Sequence, residues 1–175
     1  AALTTTQVGG LKATQVAAMT TTQVGALTST NVEALVDTQI AGLTSAQVAA
    51  LSTTSLNEFT STEVAGLTTT QIKGLTTTQI NAMETTDLVE LTTTQVAAMT
   101  TAQIAGMTTT QMDEMTTTQL SALTTLQVRA MTTTQVAALT STTVGAMTST
   151  QIGALTTLQF RSLSEDALGV LDETQ

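Results

Sequence analysis

The sequence predicts an all-α solenoid of about 22 very short helices, one capped helix per eight-residue repeat, and three observations carry that expectation. The first is the period. Ala1 to Val8 reads Ala-Ala-Leu-Thr-Thr-Thr-Gln-Val, and near copies recur at Ala17 to Val24, Val89 to Val96 and Arg129 to Val136. The 175 residues form 22 octads without an insertion, the last lacking only its eighth residue. The second is the apolar pattern. Position three of the octad, counted from Ala1, is Leu in 14 copies, Met in seven and Phe once, at Phe59. Position eight is Val, Ile, Leu, Met or Phe in all 21 copies that have it. The third is phase. In one uninterrupted helix, eight residues overshoot two turns by about 80°. The apolar stripe would then circle the helix, which no coiled-coil seam tolerates. The phase must be reset in every copy.

The N-terminus of each helix supplies the reset. Thr4 followed three residues later by Gln7 is a capping-box signature, with Leu3 before the cap and Val8 at the fourth helical position as a hydrophobic staple. Position seven is Gln in 16 of 22 copies, with Asn31, Glu63 and Asp87 as polar substitutes and Ser55, Thr143 and Ala167 as weaker copies. All ten glycines fall at positions one or two, where a short helix must end and Gly tolerates the backbone angles of an ending. Small residues there also let neighbouring helices approach closely. Charge is sorted in the same register. Eight of the 13 acidic residues, among them Asp37 and Glu63, lie at positions four to seven, and Lys73, Arg129 and Arg161 sit at position one. That is the sense the helix dipole favours. A helix of about six residues is unstable alone, and a cap contributes only about 1 kcal/mol. Burial of the two apolar columns against neighbouring octads must supply the rest.

A β-solenoid is the alternative, since Thr, Val and Ile favour strands. Against it, apolar steps of five and three put successive core residues on opposite strand faces. Disorder fits poorly with 41% hydrophobic residues placed so regularly. Residues 1–175 read as a single continuous solenoid. The chain starts and stops inside its own pattern without an initiator Met, which reads as a piece of a longer array. Residues 161–175 drift, with Ser164, Glu165, Asp166 and Ala167 replacing Thr-Thr-Thr-Gln, as degenerate terminal repeats would. Ala122 to Met131 echoes 32 residues on as Ala154 to Leu163, which fits two or four helices per superhelical turn better than three.

Little in this composition supports chemistry. There is no His or Cys to act as base, nucleophile or thiolate ligand, and no Ser or Thr has an evident activating base. Glu84 with Asp87, and Asp113 with Glu114, read as solvated helix-end charges. Glu165, Asp166, Asp172 and Glu173 match no Ca²⁺ loop spacing. The Met residues of position three, such as Met99 and Met107, read as core filler. No catalytic, cofactor-binding or metal residue is expected, and no enzymatic activity. A net charge of −9 argues against nucleic acid and anionic membrane surfaces. No apolar run approaches the roughly 18 residues of a membrane span. What remains is a ladder of Thr at positions five and six, expected to face solvent. It reads as the coat of a structural rod, or as a lattice-matching surface in the way Thr arrays on some antifreeze proteins bind ice. O-glycosylation and a protein or glycan partner are further uses of such a ladder.

The repeat Leu-Thr-Thr-x-Gln-Val-x-Ala, as in Leu91 to Ala98, resembles octapeptide arrays in very large bacterial surface or secreted proteins. The resemblance covers the whole chain and implies a repeat class: an extracellular or cell-surface, adhesin-type stalk whose partners are first of all its neighbouring repeats.

Overall fold

The structure, a computed structural model, describes residues 3–175. Among them are 21 helices of four to six residues and no strand, so the fold is an α-solenoid and the β-solenoid alternative falls. The chain divides into two compact units, Ala1–Glu90 and Leu91–Gln175. The first runs from α1 (Thr5–Gly9) to α11 (Thr85–Val89), the second from α12 (Thr93–Ala98) to α21 (Glu165–Leu168). The last octad forms no helix. In every other copy a position-eight N–H closes the first turn on the carbonyl of position four, as Val8 does on Thr4 at 2.9 Å, and the last octad has no eighth residue. Its Asp172 instead closes a turn, Oδ1 accepting from the N–H groups of Thr174 (2.8 Å) and Gln175 (3.0 Å).

Each helix begins at an extended position four, which in most copies is also a polar cap. Thr124 has φ −71° and ψ 158°, and its Oγ1 accepts from the Gln127 N–H at 3.2 Å. The Thr124 N–H in turn donates to Gln127 Oε1 at 2.7 Å. Where position four cannot accept, at Lys12 and Val36, the glutamine half of the pair persists, with N–H···Oε1 distances of 2.8 Å. Some helices end directly on extended backbone, as at Leu43 (φ −65°, ψ 136°), which is C-cap of one helix and stands next to the N-cap of another; others end on a residue still in the right-handed helical region, as at Ala122 (φ −82°, ψ −11°).

No described glycine has positive φ. The angles of the corner therefore do not demand glycine, contrary to the sequence-based expectation; close approach does, and only in places. A Cβ on Gly74 would lie 2.5 Å from the Ser45 Cβ and 2.7 Å from its carbonyl oxygen, whereas one on Gly66 would meet nothing within 4 Å. Gly66→Ala is thus expected to stabilise the first unit by roughly 0.5–1 kcal/mol. Gly74→Ala is expected to destabilise it by about 1–3 kcal/mol. Urea melts followed by circular dichroism would read both, and equal effects would contradict the packing.

Positions three and eight form the core. Ile72 and Ile80 in the first unit, and Ile104, Met112, Leu120 and Val128 in the second, have no exposed surface. Each helix packs chiefly on the third one along. In the first unit α2 (Ala13–Ala17) packs on α5 (Asp37–Gly42), and α6 (Ser45–Ala50) on α9 (Thr69–Gly74). In the second, α13 (Thr101–Gly106) packs on α16 (Thr125–Ala130), and α17 (Thr133–Ala137) on α20 (Thr157–Ser162). Three-apart packing rules out two helices per turn. The 32-residue echo says nothing about pitch.

Candidate functional site

The sequence shows position seven only as a local cap; the structure gives it a second task. A glutamine amide has one acceptor oxygen and two donor protons. The Oε1 of Gln127 serves its own N-cap, and its Nε2 crosses to the preceding turn. There it donates to the carbonyls of Val96 and Met99, both at 2.8 Å. Those carbonyls lie in and just past the last turn of α12, and the Val96 oxygen also accepts from the Met99 N–H at 3.1 Å. The pattern repeats 31 and 28 residues back. Gln39 reaches Val8 (2.9 Å) and Leu11 (2.6 Å), Gln79 reaches Val48 and Leu51 (both 2.9 Å), and Gln151 reaches Leu120 and Leu123 (both 2.8 Å). These side chains are 1–3% exposed. With helices packing three apart and amides reaching 28–31 residues back, each turn takes between three and four octads. In both units a buried glutamine seam thus joins each turn to the one before it.

The seam explains why the weaker copies differ. Asn31 is a methylene shorter and still reaches the Leu3 carbonyl at 3.2 Å. Glu63 keeps the cap, its Oε2 accepting from the Thr60 N–H at 2.7 Å, but a carboxylate has no proton to donate across. Ser55 and Thr143 turn inward to their own caps, Ser55 Oγ lying 2.9 Å from Ser52 Oγ and Thr143 Oγ1 donating to the Thr140 carbonyl at 2.9 Å. Asp87 is buried, and burial pushes its carboxyl above the usual range; the Ser61 hydroxyl, donating to Oδ1 at 3.0 Å, opposes this, and the nearby Glu84 adds to it.

Asp87→Gln is expected to stabilise the first unit by about 1–2 kcal/mol at neutral pH, through donors to Leu56 and Phe59, 31 and 28 residues back. A raised native pKa means that the cost of the ionised form is fully present above it and is relieved as pH falls through it. The advantage of the variant should therefore shrink on acidification, read from urea midpoints across pH. A constant advantage would show that Asp87 is not the titrating group.

The acidic residues do not assemble into a site. Asp113 and Glu114 lie exposed at the end of α14 (Thr109–Glu114), and Glu165 and Asp166 lie exposed in the first turn of α21. Asp172 is held below the usual carboxylate range by the Thr174 hydroxyl and by the backbone N–H groups of Thr174 and Gln175, and Glu173 is exposed beside it. Among the described residues, no group of three or more His, Cys, Asp or Glu side chains is placed to hold a metal ion. Met99 and Met107 are buried in the core. No helix among the described residues is long and apolar enough to cross a membrane.

The outer surface carries the threonine ladder. Position six is exposed in every copy and is Thr in 17 of 22, interrupted by Ala46, Ala102, Leu126, Leu158 and Asp166. Position five is half-buried in nine copies, Thr69 and Thr109 among them. It is exposed in the other 13, so the ladder is two residues wide in most copies, as expected, and narrows where position five tucks in.

Short capped helices stacked through a repeating buried amide define a tandem-repeat α-solenoid, a structural repeat protein. The chain belongs to the ALTTAQ repeat family, which matches residues 1–29, 80–117 and 113–149, more than half of its length. No curated protein and no solved structure matches it.

Proposed function

We propose that this chain is a non-enzymatic spacer or scaffold: a repeat segment that sets distance and presents a regular side, rather than a site, within a large bacterial surface or secreted, adhesin-like protein. The observation that carries this reading is the seam. Within each unit the same glutamine bonds recur from turn to turn, so added octads bring their own stability and length is free to vary.

Small-angle scattering on chains lengthened by whole turns of octads tests the spacer reading. The maximum dimension should grow in proportion to the octads added. Growth as the cube root of mass would contradict it. A second reading is favoured by one observation, the exposure of position six in every copy. A regular row of Thr hydroxyls and methyls is a surface for ice or for a glycan or protein ligand. Ice-recrystallisation inhibition that vanishes on Thr94→Lys with Thr118→Lys would support that use. Recrystallisation unaffected by the parent chain would remove the ice ligand.

A further inference from the structure

Two departures from the octad recur together in the second unit. At position six, where most copies carry Thr, α16 and α20 carry Leu126 and Leu158. Each is 70% exposed. Position six is exposed in every copy, so this exposure belongs to the position and not to the place of a helix in the chain. Three residues on, at position one, stand Arg129 and Arg161, both exposed. Residues three apart share a helix face, so each of the two helices sets one leucine beside one arginine. The seam brings the two faces onto adjoining turns, because Gln159 Nε2 donates to the carbonyl of Arg129 itself at 3.3 Å. Charge marks the same stretch. In a chain of 13 acidic and four basic residues, 115–164 hold both arginines and no carboxylate. The core and the seam use none of these four side chains. Leucine set out in water, doubled one turn on and paired each time with arginine, is the make-up of a contact surface.

The first unit carries the complement. Between α5 and α8 (Ser61–Gly66), which pack on each other, lies a recess of about 330 Å³. Ile40 and Ala41 give it an apolar wall, and Asp37 and Glu63 line it with two carboxylates. Val36, 53% exposed where most copies place a Thr cap, borders the same two carboxylates. We infer that copies of this chain associate, the Leu126–Arg129 and Leu158–Arg161 face of one docking at the Asp37 and Glu63 recess of another. A second copy is the occupant because it offers what the face lacks: carboxylates to set against two guanidinium groups, and apolar surface to cover exposed leucine. Burial of the leucines supplies the attraction, and the opposed charges fix where they land. The inference goes beyond the spacer reading: a chain that stays monomeric defeats it and leaves that reading standing.

Sedimentation velocity over a concentration series tests it on the full chain, with two variants built from the repeat's own residues. Leu126→Thr with Leu158→Thr completes the threonine row and removes the apolar half of the face. Asp37→Thr with Glu63→Gln removes both carboxylates of the recess. Every exchange restores the commonest residue of its octad position, so both variants should fold as the parent does, which circular dichroism at 222 nm checks. The parent's mass should rise above the monomer with concentration. Each variant alone should stay monomeric where the parent associates. Mixed in equal amounts, the two should form a one-to-one complex, since the first keeps the recess and the second keeps the face. A parent that stays monomeric at every concentration, a folded variant that associates as the parent does, or a mixture that stays monomeric overturns the proposal.

Discussion

Gln127→Glu is expected to destabilise the second unit by about 3–5 kcal/mol at pH 7, although it exchanges one NH₂ group for an oxygen. Gln127 is 2% exposed, and both donors it loses point at the carbonyls of Val96 and Met99. The glutamate keeps the cap, since its oxygen still accepts from the Thr124 N–H. What it adds is a buried negative charge against two carbonyl oxygens. The loss should lessen as pH falls and the carboxyl takes up a proton that it can donate to one of them. The same exchange at Gln15, exposed and without a partner across the turn, should cost within about 0.5 kcal/mol. Urea unfolding followed at 222 nm separates the two. Equal losses at both sites would mean that glutamine acts only as a cap.

That contrast marks the limit of what could be read from the chain. A capping box is satisfied by Glu as well as Gln, so the cap alone does not reveal a second partner for the side chain. The neglected signal was the choice between them: Gln in 16 copies and Glu only at Glu63. Nothing local favours an amide that strongly; a donor requirement on the far side does. The two apolar columns, by contrast, follow from phase arithmetic alone, and the helix starts follow from Thr and Gln three apart. The pitch was not legible, because an eight-residue period resets the helix without fixing the angle of the corner. The glycines misled because their placement suggested a left-handed ending, while Gly74 is there to admit Ser45.

The second large effect is in the core. Leu120→Ala is expected to cost about 2–5 kcal/mol, since the leucine has no exposed surface and its removal opens a cavity among packed short helices. None of these helices is stable by itself, so the damage should reach the turns on either side of α15 (Thr117–Ser121) rather than one octad. Leu168→Ala occupies the same octad position but is 38% exposed at the C-terminal turn, and should cost less than about 1 kcal/mol. Thermal melts of the two variants would read the difference. Similar losses would imply that burial at position eight is not what holds the helices.

The most direct test of the seam is hydrogen exchange of the glutamine side-chain amides, resolved by ¹⁵N spectroscopy. The Nε2 protons of Gln39, Gln47, Gln71, Gln79, Gln127, Gln135, Gln151 and Gln159 should exchange slowly, on the timescale of the backbone amides around them, because each is buried and donates to carbonyls of the preceding turn. Those of Gln7, Gln15 and Gln23, measured on dilute monomer, should exchange as fast as a free glutamine amide. Uniformly fast exchange at all of these positions would contradict the account, leaving glutamine a cap and the joining of the turns to the apolar columns alone.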